Sequence, residues 1–171
     1  MRITDKSFFT VPVLELSEKL LGKIIVRKME DGEIKRFRIT EVEAYASNDS
    51  ACHAYRGKTP RNAPMFEAGG ILYVYLCYGI FNLLNIVSGM KGTPEGVMIR
   101  GVDNIEGPGR SSRAMNITRE LNREELITSN KIWLEDDGYI VRTQDIERFK
   151  RVGIGYAKQE DQDRLWRFRI R

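Results

Sequence analysis

Glu41 and Glu43 stand near the end of a stretch, Ile34 to Tyr45, in which alternate residues read Phe37, Ile39, Glu41, Glu43 and Tyr45. Side chains at that spacing share one face of an extended strand, so an apolar face runs on into two acids. An ionised carboxylate removed from water is costly unless it is paired or used. Two readings follow: ion pairs with arginines at a sheet edge, or a general base held in a partly dehydrated cleft. A second concentration of chemistry is Tyr73, Tyr75 and Tyr78, with Phe81, Asn82 and Asn85 just beyond Gly79. Tyr73 and Tyr75 share a face, whereas Tyr78 points the other way beside the glycine. Strand aromatics are ordinarily core. An exposed tyrosine at a hairpin tip is equally suited to wedge into a base stack.

The basic residues have a pattern too. Arg167, Arg169 and Arg171 alternate with Trp166, Phe168 and Ile170, giving a final strand with one basic and one apolar face. Together with Arg110, Arg113, Lys150 and Arg151 they could track phosphates, and the amides of Gly153 to Gly155 could approach a phosphate closely. A solvated surface is the alternative for each of these charges. The net charge of +4 and a pI near 9.1 suit a polyanionic partner. With one histidine and no CxxC pair, the H-x-E and C-x-x-C arrangement of zinc deaminases is absent, and no cofactor or catalytic zinc is expected. A metal-dependent nuclease using Glu41, Glu43 and Asp49 stays open as a different class.

Positioning these groups calls for a mixed fold. The 171 residues suit one domain, 1–171, with a core that needs no disulfide, and Cys52 and Cys77 are expected as free thiols. Pro12, Leu16, Leu20 and Gly22 describe a short amphipathic helix. A hairpin follows, with strands Lys23 to Met29 and Ile34 to Tyr45 around Asp31-Gly32. Strands Ile71 to Tyr78 and Ile80 to Ser88 flank Gly79, and another begins at Val97. Residues 46–70 read as a long functional loop carrying His53, either a structural loop histidine or part of a site. Gly107-Pro108-Gly109 opens a helix through Met115, and the remainder reads as hairpins, with Asp137-Gly138 marking one turn and Leu165 to Arg171 the last strand. The longest apolar stretch is too polar for a membrane span, and the start lacks a secretory pattern, so a cytoplasmic protein with no membrane partner is expected.

Several of these segments match a known pattern in order. Thr40-Glu41-Val42-Glu43-Ala44-Tyr45, His53, Thr59-Pro60-Arg61-Asn62 with Met65-Phe66, and Leu72-Tyr73-Val74-Tyr75 through Tyr78-Gly79 to Asn85 resemble the 3-methyladenine (alkyladenine) DNA glycosylase family. The resemblance continues through Arg100, Gly107-Pro108-Gly109 and Val152-Gly153-Ile154-Gly155-Tyr156-Ala157, and so spans nearly the whole chain. It implies that Glu43 positions and deprotonates the attacking water, with Arg100 holding the nucleotide near the catalytic centre. Tyr45, His53 and Tyr75 would surround an extruded base, Asn85 would test its edge, and Tyr78 would fill the gap left in the duplex. Glu41 is not carried over as catalytic. The implied fold is an α+β single domain: a curved antiparallel sheet with surrounding helices and a protruding tyrosine-bearing β-hairpin.

The implied partner is double-stranded DNA carrying alkylated or deaminated purines, engaged by a monomer of a minimal bacterial or archaeal type. A cationic methylated purine leaves without protonation, so one carboxylate can suffice where ordinary glycosidases need two. No lysine is evidently poised for lyase chemistry, so hydrolysis alone is expected. A non-catalytic domain that stacks bases on tyrosines, with Glu43 merely paired to an arginine, is the competing reading.

Overall fold

The computed structural model describes residues 1–171. Its first α-helix, α1 (Val13–Leu20), buries Val13, Leu16, Ser17 and Leu20 at helical spacing. Gly22, left-handed at φ 82°, ends it, and the Gly22 amide donates to the Ile39 carbonyl at 2.9 Å. β1 (Ile24–Lys28) and β2 (Ile34–Tyr45) form the expected hairpin. β3 (Leu72–Cys77), β4 (Phe81–Val87), β5 (Gly96–Val102) and the short β6 (Ile105–Glu106) follow. Then come α2 (Pro108–Ala114), β7 (Ile132–Glu135), β8 (Ile146–Phe149), α3 (Gln159–Gln162) and β9 (Arg167–Ile170). No helix is long and apolar enough to cross a membrane, and both cysteines are free thiols.

The nine strands form one curled antiparallel sheet with the main order β3-β4-β5-β2-β1-β7. β2 organises it. Its first half pairs with β1, its second half with β9, and β5 runs along its other side. The Asp137-Gly138 turn does not join a hairpin as its sequence suggests. β7 pairs with the free side of β1, and β8 pairs with β9 instead.

The alternation read along β2 also needs correction. Ile39 opposes Val102 and Val42 opposes Ile99, but the register shifts twice between them, around Glu41 and Gly101. Such a bulge reverses which parity faces the core. Phe37 and Ile39 are core residues before it, and Val42 and Ala44 are core residues after it. Glu41, Glu43 and Tyr45 therefore do not continue the apolar face; they lie on the opposite one.

The core side of the sheet carries Val42 and Ala44 (β2), Leu72 and Val74 (β3), Leu84 and Ile86 (β4), and Val97 and Ile99 (β5). Residues between these positions face away, and that second face is the one with chemistry. α2 packs on β4 and β5, close enough that a Cβ built at Gly109 would sit 2.6 Å from the Phe81 ring. Phe81 also lies under the Arg113 guanidinium, 5.4 Å from the ring centroid. This sandwich fixes the β3–β4 hairpin close to its tip, at the Cys77–Phe81 pair beside the turn.

Gly109→Ala is expected to destabilise the fold by about 1–3 kcal/mol, because the Phe81 ring must leave its rotamer to admit one methyl. Urea denaturation measures this, and an unchanged midpoint would show that the ring yields freely.

Candidate active site

One cross-strand rung sets the floor of the site. Tyr73 (β3) is registered with Asn85 (β4), Asn85 with Met98 (β5), Met98 with Glu43 (β2), and Glu43 with Arg167 (β9). Tyr75 and Tyr45 lie two residues along their strands from Tyr73 and Glu43, on the same face. Above them opens a cleft of about 560 Å³ that Tyr45, His53, Tyr75, Asn85 and Arg100 all line. That volume lies within the range of small-ligand sites.

Glu43 is fully buried at the foot of the cleft. The Val152 amide donates to its Oε1 at 2.9 Å, the Tyr45 hydroxyl donates to its Oε2 at 2.8 Å, and Arg100 Nη1 stands 3.3 Å from Oε1. Dehydration is the strongest influence on this carboxyl and lifts its pKa above the usual glutamate value, while Arg100 and the two hydrogen bonds pull it back. The Tyr45 hydroxyl is held well above its ordinary value by burial and by the charge of Glu43, so it remains a donor. Arg100 also reaches Glu41 Oε1 from its Nε at 3.3 Å, and Arg167 reaches the same oxygen at 3.0 Å. Both acids are met by arginines: Glu41 is shared by Arg100 and Arg167, and Glu43 is paired with Arg100 behind the cleft wall. Asp49 is bound elsewhere, by Arg151. No three acidic, histidine or cysteine side chains converge where a cation could sit, so the three-carboxylate metal site has no physical basis.

His53 lies on the cleft wall with Nδ1 3.0 Å from the Tyr73 hydroxyl and its ring 4.4 Å from that of Tyr75. Dehydration by the surrounding walls, and then the Arg61 charge, depress its pKa, so the imidazole is neutral at pH 7. Its loop is held by Asn62, which donates to the carbonyls of His53 and Gly57 at 3.0 and 2.9 Å. Asn62 also accepts the Thr59 amide at 2.7 Å, which explains the Thr59-Pro60-Arg61-Asn62 segment as a loop brace. Asn85 turns its amide nitrogen onto the Tyr73 carbonyl at 3.2 Å. Tyr78 is 86% exposed at the hairpin tip. Both Tyr78 and Gly79 have positive φ, 51° and 69°, closed by an Ile80 amide to Cys77 carbonyl bond of 3.1 Å. A left-handed non-glycine residue costs roughly 1–2 kcal/mol, so this outward tyrosine is held against its own preference.

The basic candidates divide. Arg110 is exposed on α2 with no acidic partner, as is Arg113. Gly153, at φ 76°, lies on the cleft rim, and Gly155 is exposed beside it. Arg151 cannot serve a phosphate: it is buried, and its guanidinium is spent on Asp49 and on two carbonyls. Arg169 is half-buried, paired with Glu147 at 3.1 Å and stacked on Phe149 at 4.9 Å. Arg167 and Arg171 are also met by acids, so the basic face expected of β9 is partly offset, with Glu147 shared by Arg169 and Arg171 and Glu41 shared by Arg167 and Arg100. Sequence reading passed over Arg61, whose guanidinium lies 5.5 Å over the Tyr75 ring, and the Val152 amide. A motif of side-chain types carries no sign of the latter.

The site thus sets a buried carboxylate behind an aromatic-lined cleft, with an exposed tyrosine at the adjoining hairpin tip. The profile of the methylpurine-DNA glycosylase family matches residues 7–107 and 102–171. The chain belongs to that family. It is similar to the DNA-3-methyladenine glycosylase of Arabidopsis thaliana, 38% identical over 99% of this chain and 72% of that protein. It is equally similar, at 38% over 98% of this chain and 92% of the relative, to a protein of Methanocella arvoryzae provisionally named a 3-methyladenine DNA glycosylase. A Chlorobium phaeobacteroides protein given the same provisional name is 40% identical over 93% of this chain and 90% of its own. The protein is thus a DNA glycosylase, a hydrolase whose substrate is DNA.

The elevated Glu43 pKa gives this glycosylase an expected pH profile. If base release needs the ionised carboxylate, the rate falls as pH drops through a midpoint above the ordinary glutamate value. Single-turnover rates between pH 4 and 8 would locate the limb, and a midpoint at or below that of a free glutamate would contradict the dehydration argument.

Proposed function

We propose that this glycosylase rotates an alkylated purine out of duplex DNA into the slot between Tyr45, Tyr75 and His53. There it hydrolyses the N-glycosidic bond with a water activated by Glu43, leaving an abasic site. The observation that carries this reading is the fully buried Glu43 carboxylate, held by the Tyr45 hydroxyl, the Val152 amide and Arg100, three groups that themselves line the cleft. N3- and N7-methylated purines are cationic, and a cation over an aromatic face gains on the order of 0.5–2 kcal/mol. 3-Methyladenine and 7-methylguanine fit that slot and leave without protonation. Neutral hypoxanthine and ethenoadenine lack both advantages. Glu43 takes the water proton and its charge stabilises the oxocarbenium-like sugar, while Arg100 keeps the carboxylate ionised and near the nucleotide.

Tyr78, exposed and left-handed at the hairpin tip, would occupy the vacated stack and offset an unstacking cost of a few kcal/mol. Asn85 would test the purine edge. Unpaired Arg110, with the amides of Gly153 and Gly155, would meet phosphates near the lip. Hydrolysis without strand cleavage follows from the absence of a lysine from the cleft lining.

Glu43→Gln decides between catalysis and simple binding. It should slow release of 7-methylguanine by about 10²–10⁴-fold while keeping affinity for lesion DNA. A raised folded-state pKa means that ionised Glu43 costs stability at neutral pH, so the variant should melt at or above the wild-type temperature. Release at the wild-type rate would remove Glu43 from the chemistry.

Tyr78→Ala should impair release from fully paired duplex far more than from single-stranded or mismatched substrate, where little stacking is lost. Equal losses on all three would end its wedge role.

A further inference from the structure

A buried ion pair lies behind Glu43, and its contacts end on that residue's neighbours. The side chains of Asp49 and Arg151 are both shut away from solvent, and the guanidinium grips the carboxylate through both its Nη atoms. The same guanidinium donates to the Ala44 carbonyl at 2.9 Å, between Glu43 and Tyr45 in the chain. It also lies 4.9 Å from the Tyr45 ring centroid. Arg151 directly precedes Val152, whose amide holds Glu43 Oε1. Two of the three donors on the Glu43 carboxylate therefore belong to groups braced by one arginine, and only Arg100 approaches independently, from β5.

Anchoring the 46–51 loop does not account for this pair, because other bonds already do so. Ser50 is bound to Asp161 and accepts the Lys158 amide at 2.8 Å, and the Tyr156 hydroxyl donates to the Ala51 carbonyl at 2.8 Å. What those bonds leave untouched is the Ala44 carbonyl and the Tyr45 ring. A buried pair is also a poor source of net stability, since dehydrating two charges consumes much of their attraction. Its distinctive product is geometry.

We propose that the Asp49–Arg151 pair is a positioning device for the reaction. It holds the Val152 amide and the Tyr45 hydroxyl on the Glu43 carboxylate so that this group stays ionised and aimed at the bound nucleotide. The proposal rests on the reading of Glu43 as the general base. The groups that set the charge of Glu43 are Arg100 on β5, the Val152 amide, Tyr45 on its own strand and Arg151 behind it, and the hydroxyls of Tyr75 on β3 and Tyr156 feel its charge in turn. Glu41 shares Arg100, and Arg167 is registered opposite on β9. Removing Arg151 takes away a cation and loosens two donors, all of which favour the ionised form.

The test compares three variants in single-turnover release of 7-methylguanine, with lesion-DNA affinity and thermal melting measured alongside. Asp49→Leu with Arg151→Met removes both charges together and leaves neither orphaned. Its rate should fall by about 10–100-fold at pH 7 with DNA affinity kept, the loss expected when a reacting group is misplaced by a fraction of an ångström to an ångström. The acid limb of its pH profile should move to higher pH. Asp49→Asn keeps the shape of the side chain and weakens the brace while the Arg151 charge stays, so its rate should fall by less with no upward movement of the limb, and it covers the case in which the double variant does not fold. A folded variant with the wild-type rate and limb would overturn the proposal, as would parallel losses of rate and affinity with the limb unmoved. Glu43→Gln separates the two ideas: if it is inactive while the pair variants match wild type, only the positioning role fails, and if it is active, both fail.

Discussion

The structure turns on keeping one carboxylate ionised in a place from which water has been excluded. Dehydration pushes the proton onto Glu43, and everything around that side chain pushes it off: a guanidinium from β5, an amide from the 152 peptide and a hydroxyl two residues along its own strand. The balance leaves the pKa raised but the group well supplied with donors. For a general base this is a useful compromise, because dehydration strengthens the base and the donors fix its direction. The same burial that suits the chemistry costs stability at neutral pH, and the surrounding apolar core must offset that cost.

A double register shift in the β2–β5 pair makes the arrangement possible. Without it, the parity of Phe37 and Ile39 would carry Glu41 and Glu43 into the helix-covered core, where no partner waits. With it, the sheet keeps an apolar side throughout and gathers Tyr73, Asn85, Met98 and Glu43 in one rung on the other side. Bulges are common beside active sites because they re-aim side chains without ending a strand. Here the shift also places Arg100 where its fork reaches both acids at once.

Charge is distributed by the same logic. The arginines of β9 are met by Glu41 and Glu147, and Arg151 by Asp49, so the charge of a strongly basic C-terminal segment is partly offset. Unpaired guanidinium groups remain on either side of the β3–β4 hairpin, Arg61 over Tyr75 and Arg113 over Phe81, with Arg110 one helical turn from Arg113. A net charge of +4 is therefore less informative than the location of the cations that have no acid beside them.

Much of this was legible in the chain itself. Local steric rules and hydrophobic periodicity located α1, β1 to β5 and α2 to within a residue or two, and the ordered series of segments from Thr40 to Ala157 pointed to the family. The resemblance also marked Glu43, Tyr45, His53, Tyr75 and Asn85; the last four line one cleft, with Glu43 bonded to its wall through Tyr45, and Tyr78 stands at the tip beside Gly79. What the chain could not reveal were contacts between distant segments. The register shift depends on how β5 lies against β2, the fate of the Asp137-Gly138 turn on which strand first covers β1, and the burial of Arg151 on an aspartate 102 residues earlier. An arginine reads the same in a sequence whether it faces a phosphate or a buried carboxylate. Only the folded chain, by bringing an acid and a dry environment to it, decides which.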